Sequence, residues 1–438
     1  MGAKRPGRRS LIGAVVLLSG LIGGLVLGSP TTSLASEVLA SSASGPSAHE
    51  VRATLELHPD VQAALAEVEV AKGELGLVRN GYLPSLNASA GPAGSDVGYE
   101  VTLSQTVHDW GTTRSRIDEK QARLDLRLAH LGVVQDDAAL EFIEVYLDVA
   151  SHRAVLILMQ DHLAALSALD EMAQARLSGR YGDLGETGRM ALALAQVRAQ
   201  STELQGRLDE AQSHFEHLTG RPPSRVRLPA MPYYLSLASD EANLTDLIAA
   251  SPLYRRASLE VKAANATVRG TEGARYPRLV LEGSLLRREI GGRLVNDSSL
   301  NLRLRSASLQ GLAFWQEPQL ARHRRDAAAR TADGIRRDLE RMVASLRLTD
   351  QALAARITAL SDQVSGAQDI RDIYHQQFLV GRREIQDLVA IESEYFSAER
   401  QIIELTVERL RVQYRIAAQL GLLATSFTEG EVSQGAAP

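Results

Sequence analysis

Cysteine is absent from this chain, which removes disulfides, thiolate metal sites and the lipid-bearing cysteine of a lipoprotein together. Lysine occurs only at Lys4, Lys72, Lys120 and Lys262, and without a Gly-Lys-Ser/Thr there is no Walker A phosphate loop. Aromatic residues are 4% of the sequence while alanine is abundant, a composition suited to close helix packing rather than a thick globular core. The net charge of -5 carries no basic excess and argues against nucleic acid as a partner. No serine elbow, HExxH zinc motif or dinucleotide glycine fingerprint occurs. His214 and His217 stand three apart on a predicted helix without a nearby third ligand, and Glu392 and Glu394 fall on different helix faces as solvated charge. These absences predict no enzyme, no cofactor and no metal site.

Proline is also missing from two long stretches. From Thr113 to Ser178 helix formers dominate and apolar residues recur at three- and four-residue steps, as in Leu124, Leu128, Leu131 and Ile143, Leu147, Ala150, Ala154. A helix of that length measures on the order of 100 Å. A second rod follows Pro318 and runs to Phe378, with Leu339, Val343, Leu346 and Ile357, Leu360 at the same spacing. Gly179 to Gly182 turn the first rod and Gly381 turns the second, and return helices run from Leu184 to Leu218 and on to Leu420.

The remaining segments repeat as well. Helices from Pro59 to Tyr82 and from Pro252 to Arg275 each stop at a proline, Pro84 and Pro277, and each is followed by two alternating segments. Tyr99, Val101, Leu103 alternate with Glu100, Thr102, Ser104, and Leu300, Leu302, Leu304 alternate with Asn301, Arg303, Arg305. Turns are expected at Gly91 to Gly94 and at Gly291-Gly292. The order helix, strand, strand, helix therefore occurs twice, over residues 51–232 with strands near 85–108, and over 233–423 with strands near 278–311. Lys4, Arg5, Arg8 and Arg9 before the apolar run Leu11 to Leu27 read as an export signal over residues 1–36, or as a short membrane anchor. Residues 37–50 read as a flexible linker and 424–438 as a disordered tail.

Geometry links the pieces. Each short helix and return helix together match one rod in length, so they fit end to end beside it. Four strands would then gather at one end with unprotected edges, a problem that oligomerisation solves. A leucine face opposite an Asn/Arg face fits a membrane barrel and equally a half-solvated soluble sheet.

Three local matches carry a family resemblance: Asn80-Gly81-Tyr82-Leu83-Pro84-Ser85-Leu86 at a helix-to-strand corner, Leu103 to Gly111 entering the first rod, and Phe378-Leu379-Val380-Gly381-Arg382-Arg383-Glu384-Ile385-Gln386-Asp387-Leu388 at the second turn. With these in order from about Val51 to Leu423, the chain resembles the TolC-like outer-membrane efflux proteins. The resemblance implies a mainly α fold with a small β part: a homotrimer with a long helical periplasmic barrel, topped by a 12-stranded transmembrane β-barrel to which each protomer gives four strands. It implies a passive exit duct of an efflux or type I secretion system in the outer membrane. Its partners would be a periplasmic adaptor and an inner-membrane ABC or proton-driven transporter, with outer-membrane lipid around the barrel.

The resemblance also assigns residues. Asp387 matches a ring aspartate at the periplasmic constriction and Arg383 a gate arginine, with Glu186 near the position of an acidic partner in the first turn. Ala390 replaces a second ring aspartate and Phe378 a gate tyrosine, which implies a single acidic ring and a looser gate. As a plain helix-start carboxylate, Asp387 is also accounted for by the helix dipole. Arg303 and Arg305 would face the barrel lumen, or pair with Glu282 across strands. Lacking a lipid-bearing cysteine, the chain leans slightly towards protein or polysaccharide export. The rival from another class is a periplasmic coiled-coil adaptor or scaffold anchored in the inner membrane.

Overall fold

In the computed structural model the described residues are 46–93, 96–180, 182–224, 226–232, 234–237, 241–290, 293–306 and 313–427. The expected signal segment and most of the linker and tail lie outside them, as do Gly94 and Gly291-Gly292 of the expected turns. The first half holds α1 (Ala48–Leu57), α2 (Pro59–Arg79), β1 (Ser85–Ala93), β2 (Asp96–His108), α3 (Thr112–Ser178) and α4 (Leu184–Thr219). Two short helices follow, α5 (Tyr234–Leu237) and α6 (Glu241–Ala250). The second half holds α7 (Pro252–Gly273), β3 (Arg278–Ile290), β4 (Arg293–Arg305), α8 (Ala313–Leu379) and α9 (Ile385–Leu420). The mainly α character with one small antiparallel sheet is as the sequence implied. The halves match closely: α3 and α8 each have 67 residues, α4 and α9 each have 36.

The rods form because long amphipathic stretches meet sharp punctuation. At the strand-to-rod corner Trp110 and Gly111 both take left-handed backbone, and Asp109 accepts from Gly111 N at 3.1 Å and Thr113 N at 2.6 Å, capping α3. Pro318 lies inside α8 rather than at its start, because the helix begins at Ala313. So near the N-terminus few helical hydrogen bonds are lost to the missing N–H.

Each half-length helix covers one end of a rod. Lys120 of α3 bonds Glu74 of α2 at 2.7 Å, and Phe142 of α3 packs on Phe215 of α4, so α2 lies over the upper part of α3 and α4 over the lower. On the opposite flank α7 takes the upper part, through Arg269 to Asp118, and α9 the lower, through Arg415 to Glu144. From edge to edge the helices run α2, α3, α7, α8 above and α4, α3, α9, α8 below. The strands follow β1-β2-β3-β4. Both lateral edges of this wall are open in a single chain. Its main core lies along α3 and α9, around Phe142, Ile143, Leu147, Leu166, Ile403 and Leu410.

Three stretches differ from the sequence expectation. Ser47 forms a capping box with Glu50, so α1 starts inside the expected linker. The helix α6 was not anticipated, yet Ile248 is buried with Leu339, Val412 and Ile416. Residues 423–427 are helical rather than frayed, since Leu423 and Ala424 are buried and Asp136 accepts from Ala424 N at 2.8 Å. Burial raises the Asp136 carboxyl to about 7, against the opposing effect of those backbone hydrogen bonds.

Candidate functional sites: the sheet and the helix turns

Strand alternation puts two chemistries on two faces. One carries Leu86, Tyr99, Val101, Leu103, Leu281, Leu285, Leu300, Leu302 and Leu304; the other carries Asn87, Thr102, Ser104, Glu282, Ser284, Asn301, Arg303 and Arg305. The apolar face is the open one, with Leu300 74%, Leu302 62% and Leu304 70% exposed. On the polar face Glu282 is buried, paired with Arg303 at 3.2 Å and with Arg305. The two arginines thus share one carboxylate across the strands and keep half-open guanidinium groups on the polar side.

Below the sheet sits a belt of exposed aromatic rings. Trp110 donates to Pro277 O at 3.1 Å and packs 5.0 Å from Tyr276, and Arg275 lies 4.3 Å over Trp315. The chain has only two tryptophans, and both stand at this boundary. A ring with one apolar and one polar end favours the membrane–water interface. Among the described residues no helix is long and apolar enough to cross a membrane.

At the far end of the rods two turns lie side by side. Gly381 is in left-handed backbone, as a turn glycine should be, with φ 73°. In the first turn Arg180 takes that conformation and Gly179 stays right-handed as the α3 cap. Gly182 is required for space, since a Cβ there would come within 2.9 Å of Leu177 N. Arg383 pairs with Asp387 at 3.2 Å, donates to Gln377 at 3.0 Å and covers the Tyr374 ring at 4.0 Å. Glu186 lies in the other turn and bonds to neither; its Oε2 is buried without a hydrogen-bond partner. Phe378 is buried beneath Arg176, 4.7 Å away, and so packs between the two hairpins.

Two contacts bridge the hairpins here. One is Arg176 of α3 over Phe378 of α8, and the other sets the Arg189 guanidinium of α4 against the Gln386 amide of α9, whose oxygen accepts at 2.7–3.2 Å when the amide is assigned with its oxygen towards the arginine. Neither Arg176, Arg189 nor Gln386 was singled out from sequence. Only the folded chain brings them together, although the basic residues on the turn-proximal ends of α3 and α4 were a visible signal. Glu392, taken as solvated charge, is buried between His162 and Arg371, both at 3.6 Å. His214 and His217 are exposed, and among the described residues no group of three ligating side chains is arranged to hold a metal.

Residues 51–221, nearly the whole first half, match the family described as "Outer membrane efflux protein". The chain superposes on the VceC outer-membrane protein of Vibrio cholerae with TM-score 0.71 and 16% identity, over 85% of this chain and 95% of that one. The fold is that of the outer-membrane efflux channels. The MtrE channel of Neisseria gonorrhoeae in its open state gives 0.68 and 18%, over 85% and 88%. The CmeC channel of Campylobacter jejuni gives 0.67 and 13%, over 96% and 97%. No curated protein matches the sequence. At the level of fold the TolC-like resemblance read from the motifs is borne out.

Proposed function

We propose that the chain is the outer-membrane exit duct of a tripartite efflux or type I secretion system, working as a homotrimer with a 12-stranded barrel and joined to an inner-membrane transporter through a periplasmic adaptor. The observation that carries this reading is an open wall with two complementary edges. On α4 the exposed residues Gly188, Ala191, Ala195, Ala199, Thr202 and Gly206 form one seam, and on α8 Ala352, Ala355, Ala359 and Gly366 form another. A Cβ at Gly188, Gly206 or Gly366 would meet nothing within 4 Å, so packing inside one chain does not call for these glycines. Each costs a helix about 1 kcal/mol relative to alanine, which close approach of another helix offsets. The α4 edge of one protomer fits the α8 edge of the next, and repetition of that contact closes a ring.

The closed ring puts lipid against the leucines, water against Glu282, Arg303 and Arg305, and three copies of Arg383 and Asp387 at the turns. An anchored scaffold accounts for neither the leucine face nor the open strand edges. Because the chain has no cysteine, Ala199→Cys with Gly366→Cys gives a clean cross-linking test. A short bis-maleimide should yield covalent dimers and trimers in outer-membrane fractions. Monomers alone, with the protein in the inner membrane, would sink the duct.

A further inference from the structure

The end of the sheet nearest the rods is unevenly charged on its polar face. Alternation places Arg278, Val280 and Glu282 of β3 on that face, and the register sets them opposite Arg305, Arg303 and Asn301 of β4. Glu282 is the one carboxylate in these rows, and Arg303 and Arg305 already share it. Arg278 is exposed and forms no ion pair among the described residues. Directly across from it stands a second arginine instead of an acid, and like charges in that position are destabilising. Among the described side chains the other acids of this face are Glu100 and Asp297, which flank Leu286 further along β3. They lie on the order of 25 Å from Arg278, well beyond a Debye length of about 8–10 Å, and leave its charge uncompensated. The Trp110 bond to Pro277 O holds this end of β3 at the level of the aromatic belt.

We propose that Arg278, Arg303 and Arg305 form a cationic collar at the rod-side mouth of the barrel, which selects cargo bearing carboxylate or phosphate groups. The proposal rests on the homotrimeric duct for the lumen that the collar surrounds. Three protomers contribute nine arginines against three glutamates, a net charge of +6 in one narrow band. Twelve strands about 4.8 Å apart and tilted by about 40° make a ring about 24 Å across between backbones. The axis is then about 12 Å from the wall and closer to the guanidinium groups, a distance comparable with the Debye length, so cargo passes within the field of the collar. Guanidinium groups match carboxylate and phosphate oxygens in pairs, and an anion between Arg278 and Arg305 supplies the acid that the register leaves out. Rings of arginine act in this way in anion pores. At the far end of the rods Asp387 is already paired with Arg383, so the charge preference of the duct is set at the collar.

The test is the reversal potential of the purified full-length protein in planar bilayers under a potassium chloride gradient. Wild type should pass chloride over potassium several-fold at about 0.1 M salt and less so at about 1 M, where the Debye length is about 3 Å. Arg278 is the position to vary, because its substitution leaves both pairs to Glu282 in place. Arg278→Lys should keep the preference, Arg278→Gln should lower it by halving the net charge of the collar, and Arg278→Glu should abolish it by bringing that charge to zero. Inositol hexakisphosphate, added as a probe anion, should block wild type at concentrations several-fold below those needed for Arg278→Gln. A cation preference in wild type, or one selectivity shared by all four proteins, overturns the collar and leaves the duct standing. Folded protein that forms no pores overturns the duct and the collar with it. Should Arg278→Glu fail to assemble, the wild-type preference and the contrast between the Lys and Gln variants decide.

Discussion

Two regions of this wall are exposed and apolar, yet they are built from different residues. The sheet shows water bulky leucines, Leu300, Leu302 and Leu304, whereas the outer edges of the rods show glycine and alanine. Leucine maximises apolar area and gains wherever that area leaves water. Glycine and alanine offer little area but allow two backbones to approach. In the proposed duct the contrast matches a different neighbour to each surface: hydrocarbon to the sheet and another helix to the rod edges. Exposure alone would not have separated them.

The largest effect is expected at the lipid face. Leu302→Arg should cost roughly 2–4 kcal/mol and deplete the protein from the outer membrane, whereas Asn301→Arg, one residue along on the polar face, should assemble normally; fractionation and heat-modifiable gel mobility check both. At the rod edge, Ala359→Leu places a bulky side chain in the seam and should weaken the trimer by about 1–3 kcal/mol while leaving the monomer helical. Sedimentation in detergent, with circular dichroism alongside, reads this. Equal tolerance of leucine at Ala359 and at a solvent position such as Gln351 would erase the contrast between the two surfaces.

A smaller effect is expected where the hairpins touch. Arg189→Ala removes the donor to Gln386 and should raise channel open probability several-fold, the loss of a charged-group hydrogen bond being worth about 1.5–3 kcal/mol where it is buried and less at this surface. The smallest is a pH slope. Asp136 is lifted from its ordinary 3.8 to about 7, so between those values the unfolded chain has released its proton while the folded one keeps it. Stability due to this group is present at acid pH and lost as pH rises through about 7. Asp136→Asn, which retains an acceptor for Ala424 N, should remove that part of the decline in Tm between pH 4 and 7. An unchanged decline would mean that docking of residues 423–427 does not hold the proton.

The rods and strands were legible because each is long and periodic. Sixty-seven residues of helix leave a repeating apolar stripe, and thirteen-residue strands leave a strict alternation. Short pieces were harder. Residues 423–427 are helical only because Asp136, almost three hundred residues earlier, caps them. Glu392 looked solvated on its own helix, and its burial comes from His162 and Arg371 on two other helices. At the turns, sequence picked out Arg383 and Asp387, which pair locally from the second turn into the start of α9, but missed Arg189 and Arg176, which cross between hairpins. Contacts between distant segments leave no local period to read.

The account stands most directly on the two faces of β4, and adjacent positions test it. Single cysteines at Leu302 and Asn301, labelled with an environment-sensitive fluorophore in outer-membrane vesicles, are quenched by a lipid-borne nitroxide and by aqueous iodide. The account predicts lipid quenching at Leu302 and iodide quenching at Asn301. Equal iodide access at both positions would mean that the leucine face meets water, and the membrane duct would fall with it.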